Sequence, residues 1–275
     1  MAELFHKWVN YHSVKSFNSI IKSIIEKRKS WLCVGLDISP ESLKSNNFQA
    51  LKEHTFKVID ATKEYAVAYK PNFAFFERWG SAGFAWLEET VDFIGSKHIK
   101  IADAKRGDIG NTAVQYSKSI FDHFNFDCVT INPYLGRDSI KPFLEKTDKG
   151  VFLLARTSNS SAEEIQNMKE NGMTLFEKVV HMANDLNGKD NIGLVVGATA
   201  PRELQMIRDI SNGMPLLIPG VGAQGGDLLT SLKIGNQSGI GLINISRSIS
   251  FAGDMSSKSI QKAASNYLMR MREIL

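Results

Sequence analysis

Cysteine is scarce: Cys33 and Cys128 are the only two in 275 residues, both lie in apolar, β-rich runs, and no C-x-x-C spacing occurs. Both therefore read as reduced core residues rather than parts of a disulfide or thiolate-metal framework. The six histidines, His6, His12, His54, His98, His123 and His181, are scattered and show no H-x-x-x-H or similar ligand spacing. A transition-metal site is not expected. No run approaches the roughly 18 apolar residues needed to span a bilayer. The opening stretch MAELFHKWVNYHSVKS interrupts its apolar positions with charges and polar groups, unlike a secretory signal. A cytosolic rather than membrane location is the expectation. Charge of one sign is not concentrated either, because 33 basic and 29 acidic residues are interleaved along the chain to give a net +4. That pattern is not the footprint of a nucleic-acid binder, and a small anionic substrate accounts for the surplus equally well.

What is present is a recurring pattern. Short runs rich in Val, Ile and Leu alternate with longer amphipathic stretches, as in βα units around a parallel sheet. Eight strands are expected: Trp31–Asp37, Ala66–Lys70, His98–Asp103, Phe126–Ile131, Val151–Arg156, Ile192–Gly197, Pro215–Pro219 and Ile240–Ser246. The intervals are long enough for crossover helices, as over Ala82–Ser96 and Leu175–Leu186, and successive strands stand about 30 residues apart. Eight such units predict a closed (β/α)8 TIM barrel, one domain over residues 1–275. A helix near Val14–Lys29 precedes the first strand and covers one end.

In such a barrel the chemistry belongs at the C-terminal ends of the strands. Polar residues stand at nearly all of them: Asp37, Lys70, Asp103 with Lys105, Asn132, Arg156 to Ser158, Thr199, Gln224 just past Pro219, and Arg247. The strongest local signal is DAKRGDIGNTA, Asp103–Ala113, with carboxylates flanking a lysine at D-x-K-x-x-D spacing. On a regular strand Asp103 and Lys105 share a face and project together into the barrel mouth. Taken alone, the string is equally compatible with a solvated turn. Lys70 in AYKPNFAFFERWG is either a further member of the cluster or an exposed strand end before Pro71. Asp37 in LDISPESL either serves the site or, with Ser39 and Pro40, begins a helix. The glycines of IPGVGAQGGD, Ile218–Asp227, with Arg247 in NISRSI, match in position and composition the phosphate grip that many barrels build after strands seven and eight.

The segments LDISPESL, AYKPNFAFFERWG, DAKRGDIGNTA, INPYLGRDS, LARTSN, PGVGAQGGD and SRSI, in this order, resemble the orotidine 5'-phosphate decarboxylases, with the longer-chain (type 2) subfamily as the nearest match. The resemblance implies conversion of orotidine 5'-monophosphate to uridine 5'-monophosphate in pyrimidine synthesis, without metal or other cofactor. It implies Asp37 and Lys70 near the ribose hydroxyls, and Asp103 with Lys105 as the charged catalytic pair. Lys105 is the implied stabiliser of the C6 carbanion and its proton donor. Ser158 and Pro219 are implied at the pyrimidine, Gln224 and Arg247 at the phosphate. Asp108, Ile109 and Thr112 are implied to reach into the site of a second subunit in a homodimer. One departure stands out: many members carry glycine before the phosphate arginine, where this chain has Ser246. Two alternatives remain at this level. One is a metal-dependent sibling sharing D-x-K-x-x-D, a keto-gulonate-phosphate decarboxylase or hexulose-phosphate synthase; the other is a catalytically silent nucleotide-binding regulator on the same scaffold.

Overall fold

The computed structural model describes residues 14–222 and 224–275. The reading of the opening stretch, with His6 and His12, lies mostly outside the described residues. Helix α1 (Phe17–Arg28) comes first. Ser16 caps it by accepting from the Ser19 N–H, and Lys29 ends it in the left-handed conformation. Its i, i+4 stripe of Phe17, Ile21 and Ile25 is buried across the N-terminal mouth of the barrel, where each such side chain contributes about 1.5–3 kcal/mol. Phe17 sits so close to the start of the fifth strand that a Cβ on Gly150 would fall 2.2 Å from its ring.

Eight strands follow: β1 (Leu32–Leu36), β2 (Ala68–Pro71), β3 (Ile99–Arg106), β4 (Cys128–Ile131), β5 (Gly150–Arg156), β6 (Ile192–Val196), β7 (Leu216–Pro219) and β8 (Gly241–Ile245). They close in the order β1-β8-β7-β6-β5-β4-β3-β2, with every neighbour parallel. Each coincides with an expected strand to within a few residues, the largest difference being β3, which runs on to Arg106. The strands are buried on both faces, which is why they read as continuous apolar runs. Alternation still decides which layer each side chain joins. Cys33, Ala68, Ile101, Cys128, Phe152, Leu217 and Leu242 fill the barrel with α1, whereas Leu32, Val34, Leu36, Leu216, Ile218, Ile243 and Ile245 pack outward under the helices. Both cysteines are buried and free inside the barrel.

The outer layer comprises α2 (Phe48–Thr62), α3 (Gly80–Ile94), α4 (Gly110–Lys118), α5 (Leu175–Leu186), α6 (Pro201–Ile210), α7 (Leu228–Asn236) and α8 (Ser257–Ile274). Helix α5 begins with a full capping box between Thr174 and Glu177. The interval between β4 and β5 is long enough for a crossover helix but holds only short pieces, 3-10 helices at Pro133–Leu135 and Lys141–Phe143 and a single α-helical turn at Arg137–Ile140. Pro133, Gly136 at φ 88° and Pro142 each interrupt helix propagation there. Among the described residues no helix is long and apolar enough to cross a membrane. Two register shifts break the barrel's regularity, between Ala102 and Arg106 on β3 and between Leu154 and Arg156 on β5. Both lie at C-terminal strand ends, where a bulge re-aims side chains.

Candidate active site

A cavity of about 440 Å³ opens at the C-terminal face of the barrel, lined by Asp37, Lys70, Asp103, Lys105, Ser158, Pro219, Gln224 and Arg247 among others. Residues that the sequence scatters over two hundred positions are thus brought to one mouth. The charged floor is built from β2 and β3. Lys70, one residue before the end of β2, has 4% of its surface exposed, and its Nζ donates to Asp103 Oδ2. Lys105 Nζ donates to Asp103 Oδ1 at 2.6 Å, and the Thr130 hydroxyl donates to the same oxygen at 3.2 Å. Lys70 is therefore not the exposed strand end that its place before Pro71 allowed.

Asp103 and Lys105 do converge, but not by simple alternation. Lys105 has φ 46°, in the left-handed region, inside the register shift of β3. The end of the strand is pinned by Arg106, which bonds Glu77 at 2.8 Å and lies over the rings of Phe73 and Tyr116.

Electrostatics keep Asp103 and Lys70 ionised. Burial opposes charge on Asp103, but the Lys70 and Lys105 ammoniums outweigh it and hold its carboxyl well below the usual carboxylate range. Burial likewise opposes charge on Lys70, and Asp103 and Asp37 outweigh it, holding the ammonium above the ordinary lysine value. Beneath them burial pushes the Cys33 thiol up to about 12, so it remains a neutral thiol and no nucleophile. Asp37 lines the cavity with Oδ1 buried and lacking a hydrogen-bond partner among the described residues.

The opposite wall comes from β5 to β8. Buried Arg156 ends β5 and donates to the Thr157 carbonyl at 2.7 Å, while Gln166 Oε1 accepts from the Thr157 N–H at 2.9 Å. That bend presents Ser158, whose hydroxyl donates to Gln224 Oε1 at 2.9 Å. The glycine-rich loop has φ 102° at Gly220, 81° at Gly222 and 85° at Gly225. A Cβ at Gly226 would fall 2.7 Å from the Gly220 carbonyl oxygen. The open backbone expected there is only partly realised. The N–H groups of Gly222, Gly225 and Gly226 donate to carbonyls within the loop, so the side chains of Gln224 and exposed Arg247 carry more of any anion grip. Ala223 lies outside the described residues.

Asp108, Ile109 and Thr112 do not line this cavity. Asp108 Oδ1 accepts from the Ile109 N–H at 2.8 Å, and the N-cap of α4 is Ile109, with no side-chain cap. Asp108 thus stands one residue before the capping position. Ile109 is 57% exposed, and Thr112 is exposed one turn on. Asn132 caps the turn after β4 and Thr199 bonds the Ser158 carbonyl, so neither joins the cavity wall. Sequence reasoning missed Asn72, Thr130 and Asn244, which do line it. Strand-end position flags Asn72, but Thr130 and Asn244 lie within apolar strands where no local signal marks them. Among the described residues no group of three or more His, Cys, Asp or Glu side chains is placed to hold a metal ion.

Comparison with known proteins bears on this geometry. The family model for orotidine 5'-phosphate decarboxylase / HUMPS matches residues 30–260. The chain is 47% identical over 232 residues to an orotidine 5'-phosphate decarboxylase of Haloarcula marismortui, covering 82% of this chain and 83% of the relative. It is 46% identical over 244 residues to that of Natronomonas pharaonis, covering 87% and 90%. Among solved structures, the OMP decarboxylase of Leishmania donovani superposes with a TM-score of 0.84 at 36% identity, over 94% of this chain and 98% of that one.

Proposed function

Because the chain belongs to the orotidine 5'-phosphate decarboxylase / HUMPS family, we propose that it converts orotidine 5'-monophosphate to uridine 5'-monophosphate and carbon dioxide, a step of pyrimidine biosynthesis. The observation that carries the reading is the linked ion pairs of Lys70, Asp103 and Lys105 in a cavity whose lining also includes Arg247. Loss of carbon dioxide breaks the bond to C6 and leaves its electron pair in the ring plane, where no adjacent π-system takes it up. Stabilisation must come from outside the ring. Lys105 is the assigned source: its ammonium faces the developing carbanion and delivers a proton to C6. Asp103, fixed between two lysines, stands against the departing carboxylate and disfavours the bound substrate relative to the transition state.

Rate enhancements at the upper end correspond to barrier reductions of about 20 kcal/mol, beyond what one lysine supplies. Remote binding must contribute the rest. Gln224 and Arg247 are assigned to the phosphate, Ser158 and Pro219 to the pyrimidine, and Asp37 with Lys70 to the ribose, so that binding energy is spent on alignment at C6. The reading includes one barrel domain over the whole chain, a cytosolic location, and a homodimer in which Asp108, Ile109 and Thr112 complete the cavity of the second copy. It needs no metal or organic cofactor.

The test is the loss of orotidylate absorbance with purified protein. The native chain turns orotidylate over before and after dialysis against EDTA, and Lys105→Ala is folded and inactive. Activity that returns only with added Mg²⁺ selects the metal-dependent sibling chemistry, and a fully active Lys105→Ala removes the lysine from its role.

A further inference from the structure

The lysine assigned to proton delivery is held in a backbone conformation that a non-glycine residue rarely adopts, with φ 46°. Something must impose it. On β3 the ladder to β4 pairs Ala102 with Val129 and next pairs Arg106 with Ile131. Asp103, Ala104 and Lys105 therefore stand opposite a single residue, Thr130. The ladder resumes where the Asn132 N–H donates to the Arg106 carbonyl at 2.9 Å.

Within this bulge the Lys105 N–H turns to a side chain. It donates to Thr130 Oγ1 at 3.0 Å. An oxygen that accepts that bond has its own proton free to point elsewhere, and Asp103 Oδ1 lies 3.2 Å away on the same side. One hydroxyl, 1% exposed with its residue, thus ties the backbone of Lys105 to the carboxylate of Asp103. The Lys105 Nζ bond to that same oxygen closes a ring of three contacts. Neither the Lys105 backbone nor the Asp103 carboxylate can turn without breaking a bond to Thr130, and the Lys105 side chain is held in turn by Asp103.

We infer that Thr130 is a positioning residue for the reaction: its hydroxyl sets the left-handed turn at Lys105 and aims the Lys105 and Asp103 side chains at one point above the cavity floor. The inference rests on the decarboxylase reading, and it goes beyond it by naming a strand residue whose hydroxyl is bonded to both charged groups.

The hydroxyl is isolated by two matched pairs. Thr130→Val keeps the shape and removes the oxygen; Thr130→Ser keeps the oxygen and loses a methyl. The turnover of orotidylate by Thr130→Val falls about 10- to 100-fold, as expected of a misplacement on the ångström scale, while KM moves less than about threefold, because remote contacts to the substrate are untouched. Thr130→Ser recovers most of the native kcat. If Thr130→Val does not fold, Thr130→Ala against Thr130→Ser gives the same comparison without the methyl. A merely structural role lowers the melting temperature of Val and Ser variants and leaves kcat of the folded protein alone, and that outcome overturns the inference. So does a Ser variant as slow as the Val variant. A native chain inactive on orotidylate refutes the underlying reading instead. In that case the crystal structure of the Val variant decides: Lys105 leaves the left-handed region if Thr130 holds it there, and stays if it does not.

Discussion

Replacing Asp103 by asparagine removes, at nearly constant volume, the one anion that both lysines share. The consequences differ for the two. Lys105 has half of its side chain exposed and returns to water at little cost, whereas Lys70 has 5% exposed and does not. Removing one partner of a buried ion pair costs about 3–5 kcal/mol. Protonation sets an independent bound, because Lys70 can shed its proton instead of remaining charged. From an unfolded lysine pKa of about 10.4, that costs about 4.6 kcal/mol at pH 7 and about 1.2 kcal/mol at pH 9.5. The two routes agree at neutral pH, and they predict a melting temperature roughly 6–10 °C below native for a chain of this size. The pH dependence carries the sign. In the native chain the Lys70 pKa is raised, so its contribution is fully present below the unfolded lysine pKa and is lost only as pH rises through the folded value. In Asp103→Asn the folded pKa drops below the unfolded one, the unfolded state binds the extra proton, and stability rises with pH. Thermal unfolding of both proteins at pH 7 and 9.5 therefore shows the gap between them shrinking. A gap as wide at pH 9.5 as at pH 7 refutes the claim that Lys70 depends on Asp103 for its charge. No gap at pH 7 shows that Asp37 alone supports it.

Three further outcomes are expected. Arg247→Ala lowers kcat/KM for orotidylate about 100-fold, the equivalent of about 3 kcal/mol of charge-assisted hydrogen bonding, with little change in melting temperature because the side chain is exposed; a loss under threefold removes it from the phosphate. His54 and His98 are buried, bond the Ser250 and Lys63 carbonyls at 2.8 Å, and have pKa values lowered chiefly by burial. The unfolded chain then binds protons first as pH falls through about 6.5, so melting temperature drops between pH 7.5 and 5, and a slope unchanged in the His54→Gln/His98→Gln variant speaks against this cause. Inactive Lys105→Ala and Asp108→Ala chains, mixed under conditions of subunit exchange, regain activity if sites are shared, since one site of each mixed dimer then has both native residues. Heterodimers that form and stay inactive place Asp108 in its own subunit's chemistry.

The barrel was legible because each strand is buried on both faces and bounded by polar ends, so the apolar runs from Trp31 to Ser246 could be counted directly. The crossover after β4 was not, since length says only that a helix fits, while Pro133, Gly136 and Pro142 decide that none propagates. The candidate site was legible for a related reason: a parallel barrel puts all C-terminal strand ends on one rim, so polar residues there belong together before any coordinate is known. What could not be read was how they meet. Period-two alternation aims Asp103 and Lys105 to one side for a flat strand, yet the chain reaches that result through a bulge with Lys105 at positive φ, and the hydroxyl that supports it comes from the neighbouring strand.

Ser246 shows the same limit from the other side. Read along the sequence, a serine where the family resemblance implies glycine threatens the backbone beside Arg247, the residue assigned to the phosphate. In the barrel the concern moves to the neighbouring strand. A Cβ on Gly35 would lie 2.8 Å from the Ser246 Cβ, closer than two such atoms approach, so the extra side chain on β8's end is accommodated by the absence of one on β1. Its hydroxyl is buried and lacks a partner among the described residues, as does Asp37 Oδ1, a residue beyond the end of β1. The two atoms stand at the seam between β1 and β8. Both residues line the cavity, so the β1–β8 seam belongs to its wall.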